Sequence, residues 1–315
     1  MTGSLACVFP GQGSQRVGML AAMADAEPLV LGTFAEASEV LGYDLWQLAQ
    51  TGPQEELNLT ERTQPLILTA SVALWRVWCA RGGPRPAFMA GHSLGEFSAL
   101  VCAGSLAFTD AVRLVRNRGA YMQEAVPVGQ GAMAAVLGLD DGPIAEACAE
   151  AAGAEVVAAV NFNAPGQVVI AGHAAAVERA IVACKARGAK RAMPLPVSAP
   201  FHTSLMAPAG ERLARDMAQV RILVPEIPVV HNVHAHPESD SATIRTLLER
   251  QIHSPVQWTA SVRYMAQAGV TRVVEVGPGK VLGGLCKRID AALECLYTEE
   301  PQELEKALAT GGATE

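Results

Sequence analysis

The pentapeptide Gly91-His92-Ser93-Leu94-Gly95 has the G-x-S-x-G spacing of a nucleophile elbow. It follows the run 86–90, which predicts a strand, and precedes the apolar segment 97–102, which predicts a helix. Glycines permit the tight turn that lifts a serine hydroxyl off a sheet, and the Leu94 N–H at the helix start can stabilise an oxyanion. The pattern predicts that Ser93 is a nucleophile; a glycine turn without chemical function is the alternative.

A serine nucleophile needs a general base at neutral pH, and His202 is the best candidate. It lies in the segment 200–203, where an inserted unit ends and a larger domain resumes, and domain junctions line clefts. An ordinary surface histidine is the competing interpretation. His92 adjoins Ser93, but neighbours on an elbow point in different directions, so we expect His92 to support the turn. With no obvious acidic third member, a Ser/His dyad held by a backbone carbonyl competes equally with a full triad.

Two other glycine turns begin like nucleotide-binding loops but complete neither pattern. Residues 11–16 read Gly-Gln-Gly-Ser-Gln-Arg, with arginine where a dinucleotide fingerprint has its last glycine. Residues 277–280 lack the upstream glycine and the hydroxyl residue of a P-loop. The first turn is better interpreted as the second wall of an oxyanion hole, with the N–H near Gln12 facing that of Leu94; a purely structural turn is the alternative.

Three histidines, His231, His234 and His236, have a spacing that invites a zinc hypothesis. In a strand, however, residues 234 and 236 share one face while residue 231 points to the other, and no fourth ligand is evident. We therefore favour solvated histidines at a strand end and predict no metal site.

The order of predicted elements indicates an α/β protein in which a small unit interrupts a large domain. Within residues 128–198 the predicted elements are a strand at 133–139, a helix at 144–152, strands at 156–162 and 167–172, a helix at 174–187 and a strand at 192–197. This βαββαβ order is the ferredoxin-like pattern. The predicted domains are therefore residues 1–127 with 199–315, and residues 128–198.

The composition excludes several classes of protein. Of 315 residues, 50% are hydrophobic and 17% charged, so neither a disordered chain nor a coiled coil fits. The net charge of −7 argues against general binding to nucleic acid or an anionic membrane. The uncharged stretch 156–177 contains asparagines, a proline and a glutamine, and is not a membrane span. Seven scattered cysteines without a C-x-x-C pair predict reduced thiols, and hence a cytoplasmic location.

Taken together, the motifs of this chain resemble those of the malonyl-CoA:acyl carrier protein transacylases, in order and over nearly the whole length. The matching segments are residues 11–15, 91–96, 118–119 with Met122, 161–163 with 165–172, 200–202, 254–258 and 275–282. The resemblance implies an α/β-hydrolase-like large domain with an inserted ferredoxin-like subdomain. One departure is His231, where a small or amide residue is expected before Asn232.

The same resemblance implies a ping-pong reaction. Ser93 would attack the malonyl thioester, with His202 acting as base and then as acid to the leaving CoA thiol. The malonyl-serine ester would then pass its acyl group to the phosphopantetheine thiol of acyl carrier protein. Gln12 and Leu94 would supply the oxyanion N–H groups, and the Gln251 carbonyl would orient His202.

Substrate selection is assigned by the resemblance to further residues. Arg118 matches the arginine that binds the malonyl carboxylate, a role that suits a planar, permanently charged guanidinium. It lies on a helix predicted over 111–124 and capped by Thr109, with Met122 on the same face and Arg113 and Arg116 in solvent. Asn161, Gln251 and Phe201 complete the implied substrate site. The bulk of Phe201, together with Leu94, implies a preference for malonyl over methylmalonyl groups.

The function that follows is malonyl transfer for fatty acid biosynthesis by a monomer that needs neither metal nor cofactor, because phosphopantetheine belongs to the partner. Alternatives are a malonyl loader for a trans-acting polyketide synthase, a serine thioesterase or esterase, and a silent docking partner. Carrier protein is acidic, so local basic groups must receive it. The candidates, which scattered solubilising charges would equally explain, are Lys185, Arg187, Lys190, Arg191, Lys280, Lys287 and Arg288.

Overall fold

The computed structural model describes residues 4–197 and 199–309. Its strands are β1 (Ser4–Phe9), β2 (Phe88–Gly91), β3 (Gly131–Leu137), β4 (Val157–Ala164), β5 (Gln167–His173), β6 (Arg191–Pro194), β7 (Val229–Val230), β8 (Val270–Glu275) and β9 (Glu294–Tyr297). Its helices are α1 (Ala21–Ala26), α2 (Leu29–Leu41), α3 (Leu45–Thr51), α4 (Gln54–Leu57), α5 (Thr60–Ala80), α6 (Gly95–Cys102), α7 (Phe108–Glu124), α8 (Asp141–Ala152), α9 (Ala174–Ala186), α10 (Ala207–Met217), α11 (Ser241–Gln251), α12 (Trp258–Gln267), α13 (Val281–Ile289) and α14 (Pro301–Ala309).

A parallel five-stranded sheet, in the order β7-β2-β1-β8-β9, forms the centre of the larger part of the molecule. Strand β1 is buried along nearly its whole length because helices cover both faces of the sheet. Alternate side chains enter different cores: Cys7 and Phe9 join the core that contains α5 to α7, whereas Ala6 and Val8 join the core of α12 and α13. The carboxyl ends of β1 and β2 therefore lie side by side.

A second, antiparallel sheet of four strands, ordered β4-β5-β3-β6, is formed by residues 131–194. Helices α8 and α9 cover one face and enclose a separate apolar core around Val136 and Ile170. On the opposite face, Met133, Val160 and Val169 form a small cluster with Phe201 packed against it. The sequence predicts a hairpin turn over residues 163–166; strand β4 extends to Ala164, so the turn is confined to Pro165 and Gly166.

Backbone hydrogen bonds join the β4 edge of the small sheet to the segment between α11 and α12 of the larger part of the molecule. Val256 N–H donates to the Val160 carbonyl at 2.8 Å, and Phe162 N–H donates to the Val256 carbonyl at 3.0 Å. The side chain of His92, next to Ser93, lies 2.8 Å from Asn163 Oδ1 on β4. The small sheet is thereby fixed above the carboxyl end of β2.

Three local predictions from the sequence are corrected by the structure. Helix α7 begins at Phe108 with Ala107 at its N-cap position, so Thr109 lies inside the helix and is not its cap. The segment 229–233 predicts a strand, but this strand ends at Val230, because Asn232 turns its backbone and side chain toward α6 and β2. The short edge strand β9 was not predicted.

Some predictions fall on parts of the chain outside the described residues. The expected fraying at Gly311-Gly312 and the domain boundary at residue 198 are among them. Within residues 4–197 and 199–309, no helix combines the length and the apolar character that crossing a bilayer requires.

Candidate active site

Ser93 lies at the turn between β2 and α6 with a φ of 52°. The two glycines of the motif are required because the turn leaves no space for a side chain. A Cβ on Gly91 would lie 1.9 Å from the carbonyl carbon of Gly95, and a Cβ on Gly95 would lie 2.0 Å from the carbonyl oxygen of Phe9. Close packing of β1, β2 and α6 thus presents the Ser93 hydroxyl at the carboxyl edge of the sheet.

The hydroxyl of Ser93 lies within hydrogen-bond distance of a histidine that is itself held by a backbone carbonyl. Ser93 Oγ is 2.8 Å from His202 Nε2, and His202 Nδ1 is 2.8 Å from the carbonyl oxygen of Gln251. Because a carbonyl only accepts, Nδ1 carries the proton and Nε2 accepts from the serine. This geometry is that of a Ser/His dyad whose third partner is a carbonyl.

His202 is buried, with 4% of its surface exposed. Burial, and secondly the positive charge of Arg118, lower the pKa of His202 from 6.5 to about 3. The imidazole is therefore neutral at physiological pH and free to accept the serine proton.

Arg118 on α7 is a buried cation, with 1% of its surface exposed. Its guanidinium donates to Gln64 Oε1 at 2.8 Å, to Gln251 Oε1 at 2.8 Å and to Ser93 Oγ at 3.1 Å. Burial lowers the pKa of Arg118 to about 10, against the opposing effect of the Glu96 carboxylate, so the side chain stays charged at neutral pH. Nε has no hydrogen-bond partner among the described residues and remains available to a ligand.

These side chains line a cleft with an empty volume of about 640 Å³, open solvent at its mouth included. The sequence-predicted residues that line it are Gln12, Ser93, Leu94, Arg118, Met122, Asn161, Phe201 and His202. Gln251 lies behind this lining and contacts the cleft residues through its hydrogen bonds. Within the described residues, Asn161 Oδ1 is buried without a partner, so it is a further acceptor available to a ligand.

The small sheet supplies the apolar roof of the cleft, through Met133 and Val169. A second cavity, of about 650 Å³, adjoins the first and shares Gln12, His92 and Asn161 with it. Its outer wall includes Leu282 and the half-exposed Val281 at the start of α13. The site therefore continues from Ser93 toward the surface between the two sheets.

Four residues of the site were not identified from the sequence: Gln64, Glu96, Asn163 and Asn232. Gln64 binds Arg118, Asn163 binds His92, and Asn232 accepts the Ser93 N–H at 2.7 Å. A signal existed only for Glu96, an acidic residue that directly follows the last glycine of the elbow in an otherwise apolar helix. The others are neutral amides whose partners are distant in sequence.

The prediction of solvated histidines at residues 231, 234 and 236 was wrong for the first of them. His231 is fully buried, and its Nδ1 lies 2.7 Å from Glu96 Oε1. His234 is half-buried and pairs with Glu238, while His236 is exposed. Among the described residues, no group of three or more His, Cys, Asp or Glu side chains is arranged to hold a metal ion.

Several of the candidate docking groups already have partners. Arg187 pairs with Glu150 and Lys280 with Glu303, while Lys287 donates to the carbonyls of Ala291 and Leu293. Arg288 donates to Gln167 Oε1 at 2.5 Å and is exposed at the last turn of α13. This helix also contributes Val281 and Leu282 to the outer cavity, so Arg288 belongs to an element at the mouth of the site.

Residues 6–288 match the family described as the acyl transferase domain. The malonyl CoA-acyl carrier protein transacylase of Escherichia coli K12 is 62% identical over 303 residues, which cover 96% of this chain and 98% of the relative. The protein of the same name from Bacillus subtilis is 43% identical, covering 97% and 96%.

Solved structures agree with these sequence relatives. The malonyl CoA-acyl carrier protein transacylase of Coxiella burnetii superposes with a TM-score of 0.97 at 49% identity, covering 99% of this chain and 98% of that chain. A malonyl-transacylase solved in complex with its type II PKS acyl-carrier protein gives 0.96 at 55% identity, covering 97% and 99%. The mixed fold of one parallel and one antiparallel sheet is thus shared, and the chain belongs to the malonyl CoA-acyl carrier protein transacylases of the acyl transferase family.

Proposed function

We propose that this chain transfers a malonyl group from malonyl-CoA to the phosphopantetheine thiol of acyl carrier protein, through an ester on Ser93. The observation that carries the proposal is the buried Arg118 guanidinium, 3.1 Å from the hydroxyl of a Ser/His dyad. A cation at this place binds an acyl group that ends in a carboxylate and keeps the reacting carbonyl near Ser93. A general esterase has no use for it.

In the first half-reaction, the Ser93 hydroxyl attacks the thioester carbonyl carbon while His202 Nε2 takes its proton. The negative oxygen of the tetrahedral intermediate accepts hydrogen bonds from the N–H groups of Gln12 and Leu94. The intermediate then collapses, the carbon–sulfur bond breaks, and His202 returns the proton to the departing CoA thiolate. The malonyl group remains as an ester on Ser93.

In the second half-reaction, the carrier protein's thiol gives its proton to His202 and attacks the ester carbonyl. The carbon–oxygen bond to Ser93 breaks and His202 reprotonates the serine. Binding of the malonyl carboxylate offsets the charge of Arg118, which after burial is the largest cause of the low pKa of His202. The substrate therefore makes the histidine a stronger base when it is needed.

The domain description belongs to the same proposal. The βαββαβ order and the strand order of the small sheet support a ferredoxin-like subdomain, residues 128–198, inserted in an α/β-hydrolase-like domain of residues 1–127 and 199–315. The steps above need no metal or organic cofactor, because phosphopantetheine belongs to the partner. Seven free cysteines support a cytoplasmic location.

We further propose selectivity for malonyl over methylmalonyl groups. Phe201 lines the cleft, Leu94 is buried beside Ser93, and together they restrict the volume available to an α-methyl branch. In a competition assay, we expect methylmalonyl-CoA to acylate Ser93 at least tenfold less than malonyl-CoA, because an overpacked pocket costs about 1–3 kcal/mol. The variant Phe201→Ala should narrow the difference. Equal loading of the unsubstituted protein by both thioesters would refute the selectivity.

The acceptor is proposed to be a carrier protein of fatty acid biosynthesis; the solved complex of a relative with a type II PKS carrier keeps polyketide loading as the second candidate. The decisive experiment incubates the protein with radiolabelled malonyl-CoA, isolates the acyl-enzyme and then adds holo carrier protein of either type. Label should reach Ser93 and pass to the carrier, and the faster carrier identifies the pathway. Two outcomes would contradict the proposal. The unsubstituted protein could take up no more label than a Ser93→Ala variant, or the label could be released only to water.

A further inference from the structure

Beneath the nucleophile lies a buried hydrogen-bond network of four side chains, Glu96, His231, Asn232 and Gln251, which we call the elbow network. Glu96, in the first turn of α6, is 1% exposed. Its Oε1 accepts from His231 Nδ1 at 2.7 Å. Its Oε2 accepts both from Asn232 N–H at 3.0 Å and from Gln251 Nε2 at 2.9 Å. One carboxylate thus binds the three other members of the network.

Two amide side chains of the network hold the backbone of Ser93 in its left-handed conformation. Asn232 Oδ1 accepts the Ser93 N–H at 2.7 Å, and Asn232 Nδ2 donates to the Gly91 carbonyl at 2.7 Å. Gln251 Nε2 donates to the Ser93 carbonyl at 2.9 Å. A non-glycine residue at a φ of 52° is strained, so it persists only where its surroundings fix it.

Gln251 also connects the network to the other reacting groups. Its carbonyl oxygen accepts from His202 Nδ1, and its Oε1 accepts from the Arg118 guanidinium at 2.8 Å. A displacement of Gln251 would therefore disturb the nucleophile, the base and the carboxylate-binding arginine together. The side chain of Gln251 is oriented on its far side by Glu96.

We propose that Glu96 is a positioning residue for the transfer reaction. It orients Gln251 and Asn232 and thereby fixes the relative positions of Ser93, His202 and Arg118. The inference rests on the roles proposed above for Ser93 and His202. The burial of Glu96 fits this role, because its carboxylate is the acceptor for three buried donors and the nearby anion that partly balances Arg118. Glu96 touches neither the cleft nor the reacting atoms.

The two carboxylate oxygens of Glu96 bind different partners, and this difference permits a specific test. Both donors that lead to Ser93 meet Oε2, whereas Oε1 faces only residue 231. A glutamine at residue 96 can keep its carbonyl oxygen at the Oε2 position if residue 231 accepts from its NH₂ group. Asparagine at residue 231 can accept this hydrogen bond through its side-chain oxygen, because its terminal atoms lie where the histidine has Nδ1. In the single variant His231→Asn, the NH₂ group of the asparagine can instead donate to Glu96 Oε1.

The variants to compare are Glu96→Ala, His231→Asn and the double variant Glu96→Gln with His231→Asn. The measurement is the rate constant for acylation of Ser93 at saturating malonyl-CoA, per folded molecule, together with KM. We expect Glu96→Ala to lose about 100-fold in this rate constant with KM changed less than threefold, because small displacements of reacting groups cost rate rather than affinity. His231→Asn should stay within about threefold of the unsubstituted protein, and the double variant within about fivefold.

Two further variants distinguish a positioning effect of Glu96 on the rate constant from a loss of protein stability. Leu304→Ala, in the buried face of α14, should lower the melting temperature without changing the acylation rate constant. Where Glu96→Ala does not fold, Glu96→Asp withdraws the carboxylate from both donors and should lose about tenfold.

An acylation rate constant for Glu96→Ala or Glu96→Asp within twofold of the unsubstituted protein would overturn the inference. So would an equal loss in Glu96→Ala and in the double variant. If the unsubstituted protein itself fails to acylate at Ser93, the proposed function fails instead.

Discussion

Arg118 and His202 oppose each other electrostatically. The guanidinium contacts the hydroxyl that His202 deprotonates in the proposed mechanism, and its charge helps to lower the pKa of the imidazole. Both side chains are buried, so water does little to screen this effect. In the proposed mechanism, a malonyl carboxylate pairs with the guanidinium and offsets its charge, whereas an acyl group without a carboxylate leaves that charge uncompensated.

Replacement of Arg118 by alanine should therefore act selectively on the acyl group. We expect the second-order rate constant for acylation by malonyl-CoA to fall about 100-fold or more, since losing one partner of a buried, hydrogen-bonded charge pair costs about 2–5 kcal/mol. The slow acylation by acetyl-CoA should fall much less. Arg113→Ala, an exposed change on the same helix, is the matched control and should leave both rates unchanged. An equal loss with both thioesters would contradict a carboxylate-binding role.

The lowered pKa of His202 predicts an unusual pH dependence. A base with the ordinary value of 6.5 would lose about tenfold in rate between pH 8 and pH 5.5. His202, with a pKa of about 3, stays neutral over this range, so the acylation rate constant should change less than twofold. Rapid-quench acylation across this pH range measures it, and an acid limb centred near pH 6.5 would refute the assignment.

The same shift has a consequence for stability with a definite sign. Between pH 6.5 and pH 3 the unfolded chain binds a proton at His202 that the folded chain does not, so the free energy of unfolding decreases as the pH falls. This contribution amounts to about 1.4 kcal/mol per pH unit within that window. A His202→Gln variant lacks it, and urea unfolding at pH 7 and pH 5 should show a smaller acid-induced loss for the variant.

At the scale of elements, the site depends on the closeness of β1, β2 and α6. The helix starts two residues after Ser93, and its first residue, Gly95, packs against the backbone of β1. Packing at this distance places the hydroxyl at the helix N-terminus, where partial positive charge favours a developing oxyanion. The turn after β7 then supplies Asn232 to the same place.

Replacement of Gly95 by alanine should consequently destabilise the fold. A Cβ there would lie 2.0 Å from the Phe9 carbonyl oxygen, and relief requires α6 to move away from the sheet. We expect the free energy of unfolding to fall by about 3 kcal/mol or more. Gly284→Ala is the matched control: a Cβ there meets nothing within 4 Å, and an exposed helix interior should gain about 0.5–1 kcal/mol. Chemical denaturation of both variants measures the difference, and equal stabilities would refute the steric argument.

At the scale of the whole molecule, the net negative charge of the chain bears on how it recognises the carrier protein. The chain has a net charge of −7, and the resemblance implies an acidic carrier protein, so long-range forces would oppose their encounter. Attraction must therefore come from basic side chains close to the mouth of the cleft. Helix α13 meets this condition, because it lines the outer cavity with its first residues and ends in Lys287 and Arg288.

We expect the reversal Arg288→Glu to raise KM for carrier protein about fivefold or more at low salt, with a smaller effect at high salt, because charges at the rim of an interface act mainly on encounter. Acylation by malonyl-CoA should be unaffected. Arg288 is preferred to Lys287 for this test because the Lys287 ammonium supports the loop after α13 through two carbonyls. Arg113→Glu, at an exposed residue that does not line either cavity, is the control. Unchanged kinetics for Arg288→Glu would remove α13 from the docking surface.

Local patterns in the sequence predicted the elbow around Ser93, His202 as the candidate base and the small inserted unit, whereas the family and the role of Arg118 came from the resemblance of the combined motifs. The patterns are glycine spacing, apolar periodicity, and motifs that lie together along the chain. The tertiary structure decided what depends on distance. It placed His202 Nδ1 at 2.8 Å from the Gln251 carbonyl that the resemblance implied, and it showed that strand β7 ends early and that His231 and Glu96 form a buried pair. Their partners are more than 40 residues away, and packing alone brings them together.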